Sequence, residues 1–311
     1  MKRMSDDVMV AGIGQVPVGE HWQLSLRNLA AQAMLAAIRD AGGLQPQAIY
    51  IGNYLASVAS EQANLGALLA ESIGLPGVEG ITAEAGEASG AAALHLAWQA
   101  VRSGMVASAL VVGVENMTQV PYMVASARTG ARMGDAKMID SLTHDALVDS
   151  LVPGHMGMTA ENVAVMYNIT REQCDELAVR SHTNAINATD NGIFKREIVP
   201  VEVVTKKGVT IIETDEHPIR GCSMESVGRL KPAFKKDGGV VTAANASGIN
   251  DGASAAVIMS KQKAAELGLK PLMKLAASVG VGVDPQIMGI GPAEAIPVAL
   301  KQAGWNFDDV E

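Results

Sequence analysis

Residues 242–252 read Thr-Ala-Ala-Asn-Ala-Ser-Gly-Ile-Asn-Asp-Gly, set between the pair Gly238 and Gly239 and an apolar run over residues 255–259. Small residues dominate the stretch, and small residues admit another backbone or a ligand at close range. Two asparagines, a serine and an aspartate add polar groups that need partners wherever the segment is buried. Taken alone, the residues read as a tight turn feeding a core strand.

On both sides of this stretch strand and helix alternate. Residues 8–13 read as a first strand, and residues 25–41 carry a helical apolar stripe (Leu26, Leu29, Ala30, Ala33, Met34, Ala37, Ile38) that stops at Gly42 and Gly43. Residues 48–55 return to strand character, 62–73 read as helix, 80–83 as a short strand, 88–103 as an Ala-rich helix and 107–113 as a buried strand. That rhythm predicts an α/β fold with a mixed, mostly parallel sheet covered on both faces. From residue 119 to 237 it breaks into helical, charged and Met-rich sequence, with a capping box expected at Thr170 and a hairpin over residues 199–212. It resumes at 240–259; Ser260 caps a helix, residues 274–281 read as a strand, and Pro292 opens a last helix.

Composition excludes several classes. Across 311 residues aromatics are 3%, so the core must be built from Ala, Val, Ile, Leu and Met, and 32 glycines fit closely packed layers. A net charge of −9 gives no basic face for nucleic acid or an anionic membrane. No apolar run approaches the ~20 residues of a membrane span. The first residues hold Lys2, Arg3, Ser5 and Asp6 without a signal-peptide core, which makes the cytoplasm the expected location. Cys174 and Cys222 form neither a disulfide framework nor a metal-ligand pattern.

The opening stretch resembles the signature of the thiolase family, enzymes that condense and cleave acyl-CoA. Further stretches resemble family motifs in the family's order. They are residues 113–117 (Gly-Val-Glu-Asn-Met), 128–137 (Arg-Thr-Gly-Ala-Arg-Met-Gly-Asp-Ala-Lys), 154–162 (Gly-His-Met-Gly-Met-Thr-Ala-Glu-Asn), 228–234 (Gly-Arg-Leu-Lys-Pro-Ala-Phe) and 288–292 (Met-Gly-Ile-Gly-Pro). The pattern is nearest the short-chain, acetyl-CoA acetyltransferase branch. The resemblance implies a thiolase-like layered fold: a first α/β half over residues 1–118 and 239–268, an inserted loop domain over 119–238, and the start of a second half over 269–311.

It also implies roles for single residues. Ser247 and Ala243 would line the pantetheine channel of coenzyme A, and Arg220 and Ser226 would lie near its adenine and phosphate end. His155 and Met156 would border the acyl pocket. Without the motifs, Arg220 reads as a solvated charge, His155 as a satisfied loop histidine and Met156 as ordinary packing. Acyl-CoA would be the substrate, with no tightly bound cofactor, and the family's habit implies a homo-oligomer.

Two departures accompany the resemblance. Residues 82–92 read Thr-Ala-Glu-Ala-Gly-Glu-Ala-Ser-Gly-Ala-Ala, so Glu87 stands where the family has its nucleophilic cysteine. A carboxylate at a helix N-terminus is electrostatically comfortable, but it forms no thioester. The family's Asn-Glu-Ala-Phe segment, its Gly-His-Pro histidine and its second cysteine would follow residue 311. The expectation is therefore an acyltransferase-type subunit completed by another chain, or a non-catalytic protein that binds coenzyme A esters or scaffolds a partner.

Overall fold

The computed structural model describes residues 7–55, 64–152, 154–206 and 208–310. Four strands, β1 (Val8–Gln15), β2 (Ala48–Gly52), β3 (Glu79–Ala83) and β4 (Ser108–Glu115), are spaced by helices α1 (Leu26–Asp40), α2 (Leu65–Ser72) and α3 (Ser89–Arg102). The chain then leaves the sheet. It forms two small ladders, β5 (Tyr122–Met123) with β6 (Ile139–Asp140) and β7 (Val148–Asp149) with β8 (Gly154–His155). Helices α4 (Met156–Tyr167) and α5 (Arg171–Asp190), the antiparallel hairpin β9 (Val201–Thr205) with β10 (Gly208–Ile212), and α6 (Met224–Gly228) follow. It returns as β11 (Gly252–Ser260), α7 (Lys261–Glu266), β12 (Met273–Leu275) and α8 (Gly291–Ala303).

The sheet order is β12-β1-β11-β4-β2-β3. β2 pairs in parallel with β3 and β4, while β11 runs antiparallel between β1 and β4 and β12 lies antiparallel on β1. Strands β1 to β4 thus share one direction, and the two late strands oppose them. Burial on both faces explains why these strands are nearly continuous apolar runs. Along β2, Ile49 and Ile51 point into the layer of α1 and α2, where they meet Leu29, Met34, Leu65 and Leu69. Ala48 and Tyr50 point the other way, into the layer of α3 with Ala93, Ala97 and Trp98. β4 splits the same way, Leu110 and Val112 against Ala109 and Val111.

Local signals account for the helix ends. The Ser25 hydroxyl accepts from Asn28 N at 3.2 Å at the head of α1, and Thr170 and Gln173 form a reciprocal capping box on α5. Ser260 caps α7 by accepting from Lys263 N at 3.1 Å. One expectation needs correction. Residues 276–281 are not strand: the sheet edge is the three-residue β12, and a chain punctuated by Gly280, Gly282 and Pro285 follows without regular structure until residue 285. Of the other expected elements, Lys207 in the hairpin turn and residues 62 and 63 ahead of α2 lie outside the described residues.

Close approach fixes where α3 begins. A Cβ built on Gly52, at the end of β2, would lie 2.5 Å from Gly90 Cα and N and from the Ser89 carbonyl carbon. Those are backbone atoms of the first turn of α3, which cannot swing aside as a side chain does. Gly52→Ala is expected to push that turn off the sheet and cost about 1–3 kcal/mol of stability, read as a lower midpoint in urea unfolding.

Candidate active site

The strands that share a direction end together, and a cleft of about 380 Å³ opens there. Gly52, Asn53 and Tyr54 wall it from the end of β2, Glu115 and Met117 from the end of β4, and Ser254 from β11. Gly86, Glu87, Ser89 and Gly90 close it at the N-terminus of α3. A crevice outside the carboxyl ends of strands is the general place for ligands in open α/β sheets. Ala88 at the N-cap of α3 makes no side-chain capping bond, and the Ser89 amide donates to Gly86 O at 3.1 Å where this 14-residue helix opens on the cleft.

Glu115 reaches under the cleft from β4. Its carboxylate accepts from Tyr54 N at 2.8 Å, Leu55 N at 3.3 Å and Asn53 Nδ2 at 3.1 Å. Burial nevertheless outweighs these donors and pushes its pKa above the ordinary carboxylate range. Asn53 Nδ2 also donates to Val114 O at 2.6 Å, while its buried Oδ1 has no partner. Burial, and then the charges of Glu87 and Glu84, raise the Tyr54 phenol. That phenol donates to Ala146 O at 3.0 Å, tying the cleft to the segment before β7.

Glu87 lines this cleft, with its side chain exposed. The six other residues named from the sequence do not line it. His155 caps α4 by accepting from Gly157 N at 3.1 Å, and its ring lies 4.7 Å from that of Phe234. Met156, half-buried, is the first residue of α4. Ala243 and Ser247 are exposed on the opening stretch, and Ser247 borders a separate cavity of about 330 Å³ with Cys174, His182 and His217. Arg220 is exposed and bidentate on Asp190, at 2.9 and 2.7 Å. Ser226 is exposed in a capping box with Ser223 at the start of α6.

What holds these pieces is a set of buried polar groups, of which the sequence marks only the aspartate of the opening stretch, as a group in need of a partner. Glu161 accepts from Val240 N and Val241 N, at 3.0 Å or slightly longer, at one end of the opening stretch. Asp251 is fully buried at the other end. It accepts from His21 N at 2.8 Å, Thr118 N at 2.9 Å and Thr118 Oγ1 at 2.7 Å. Between them Asn245 Nδ2 donates to Asp175 Oδ1 at 3.1 Å, and His182 meets Ala244 O at 3.1 Å. The available signal was an aspartate directly ahead of a buried apolar strand, a place where a charge must be hydrogen-bonded.

A layered α/β chain with a long insertion and a helix N-terminus opening on a cleft defines an α/β protein with an anion-tolerant site at its strand ends. Family models of the thiolase N-terminal and C-terminal domains match residues 8–262 and 269–311. The acetyl-CoA acetyltransferase of Pseudomonas aeruginosa is 41% identical, over 98% of this chain and 79% of that protein. The solved acetyl-CoA acetyltransferase of Syntrophomonas wolfei superposes with a TM-score of 0.92 at 47% identity, covering 98% of this chain and 77% of that one. Human mitochondrial 3-ketoacyl-CoA thiolase gives 0.91 at 35% identity, covering 99% and 79%. The chain belongs to the thiolase family. Residues 269–311, expected above to be only the opening of a mostly missing half, match the C-terminal domain model, and none of these likenesses supports a separate completing chain.

Two measurements test the framework. Asp251→Ala leaves three donors without an acceptor and should lower stability by about 3 kcal/mol in urea unfolding. Glu115 holds its proton more tightly in the native state than in the unfolded chain. Its stabilising contribution is therefore full below the ordinary range near about pH 4.3 and is lost as pH rises through the higher native value. The parent protein should accordingly lose stability relative to Glu115→Gln as pH climbs through that window.

Proposed function

We propose that this protein is a thiolase-type acyl-CoA acyltransferase subunit that takes coenzyme A esters of the acetyl-CoA and acetoacetyl-CoA class, with the acyl end at the head of α3. Coenzyme A enters as substrate, not as a resident cofactor. Its pantetheine arm runs along Ala243 and Ser247, with His155 and Met156 bordering the acyl portion. Arg220 and Ser226 stand at the nucleotide end. The exposed Arg220–Asp190 pair costs little to exchange for a phosphate, since solvent-exposed ion pairs contribute at most about 1 kcal/mol. Self-association and a cytoplasmic home complete the reading. Among the described residues no helix is long and apolar enough to cross a membrane.

The observation that carries the reading is Glu87 in the cleft wall, directly ahead of Ser89 and Gly90 at the start of α3. A carboxylate there is compatible with the helix dipole but has no sulfur to carry an acyl group as a thioester. Neither cysteine substitutes. Cys174 borders the other cavity, its thiol held protonated by burial and by the neighbouring Asp175 and Glu161, and Cys222 does not line the cleft. In this reading the unaltered chain binds coenzyme A esters without condensing or thiolysing them. Glu87 equally favours a second role as a non-catalytic, ester-binding scaffold.

Incubation with acetyl-CoA followed by intact-mass spectrometry tests this. The parent protein should show no acetyl adduct, whereas Glu87→Cys, whose thiol would sit at a helix N-terminus that favours thiolate, should gain one. An adduct on the unaltered protein would overturn the proposal, as would failure of coenzyme A to bind either form.

A further inference from the structure

His182 projects from α5 and is 8% exposed. Its two ring nitrogens meet two backbone segments far apart in sequence. Ile219 N donates to Nδ1 at 3.2 Å, and Nε2 lies 3.1 Å from Ala244 O. An amide N–H only donates and a carbonyl only accepts, so these partners settle the tautomer: Nδ1 is bare and Nε2 carries the hydrogen. The imidazole therefore bridges the residue next to Arg220 with the residue next to Ala243. In the functional reading above, those are the two segments that meet opposite ends of coenzyme A.

We infer that His182 is a positioning residue: in its neutral form it straps the Ile219 and Ala244 segments into the arrangement that receives coenzyme A, and its protonation releases the strap. A second ring hydrogen at Nδ1 would point at the Ile219 N–H, and two donors cannot bond each other. The strap then keeps one hydrogen bond of two. This inference rests on the proposed coenzyme A path and adds to it a control by acidity.

The charged and titratable neighbours have other engagements or are separable by mutation. Asp175 is occupied by Arg171 Nε at 2.7 Å and by Asn245 Nδ2 at 3.1 Å. Glu161 is taken up by the amides of residues 240 and 241, and Arg220 by Asp190. The Cys174 thiol borders the same cavity in its protonated form. His217, whose ring lies 5.8 Å from that of His182, is a second imidazole at this cavity, and it serves as the control.

The test compares coenzyme A binding by calorimetry at about pH 7.5 and about pH 5.5, the window in which imidazoles take up a proton. The unaltered protein and His217→Gln should bind about five- to tenfold more weakly at the lower pH, within the usual range of coupling between sites. His182→Gln, whose amide can both donate to Ala244 O and accept from Ile219 N without titrating, should lose that dependence. Titration of the ligand itself cancels in the comparison. An undiminished pH slope in His182→Gln overturns the inference. If coenzyme A binds at neither pH, the functional reading fails while the strap is still decided by hydrogen exchange on the ligand-free, unaltered chain. Protection of the Ile219 amide should fall on acidification relative to the β1 amides, and constant protection would refute the strap.

Discussion

One loop is held by charges that have left water. Glu161 grips the backbone at residues 240 and 241, Asp251 sits fully buried at the far end, and the amide of Asn245 reaches Asp175 in between. A desolvated carboxylate is tolerated only when its lone pairs are met by donors, and here backbone amides and hydroxyls from three separate regions supply them. The loop is consequently a junction: α4 and α5 of the insertion, the segment around His21, and the chain leaving β4 all converge on it. Breaking one of these bonds leaves a buried charge underpaired, so the insertion and the sheet are coupled more tightly than their separate cores would require.

Much of the layered core could be read directly. The apolar stripe of α1, the runs of β2 and β4 and the caps at Thr170 and Ser260 are local signals, each set by residues within a turn or two. The sheet order was not legible. Nothing in the sequence around residue 252 says that β11 inserts between β1 and β4, because strand partners are chosen by long-range packing. The strand expected over residues 274–281 failed for a similar reason. Only Met273–Leu275 finds a partner in β1, and Ser278 beyond it meets His95 of α3 at 2.9 Å.

The site divides along the same line. Glu87 is readable through the resemblance, which matches the Ala88-Ser89-Gly90 run beside it, and the structure puts it in the cleft wall. Glu161 and His182 carry no local mark, since their partners lie 79 and 80 residues away along the chain in the first case and on two separate segments in the second, and Asp251 is marked only as a polar group in need of a partner, one that lies 230 residues away. The exposed Arg220 and Ser226 are satisfied by local pairing, with Asp190 and Ser223. Their placement by resemblance is independent of that pairing, which solvent weakens.

The central position of β11 has a bearing on how the molecule comes into being. β1 and β4 are made early, yet the strand that joins them begins only at Gly252 and then pairs with Ser108–Glu115 on one side and Val8–Gln15 on the other. During synthesis β1 and β4 both lack this common partner while residues 116–251 are made. Contacts that span so much chain form slowly and leave unpaired strand edges available to neighbours. The period of greatest exposure to misassembly on the ribosome ends when residue 260 emerges and β11 joins β1 to β4.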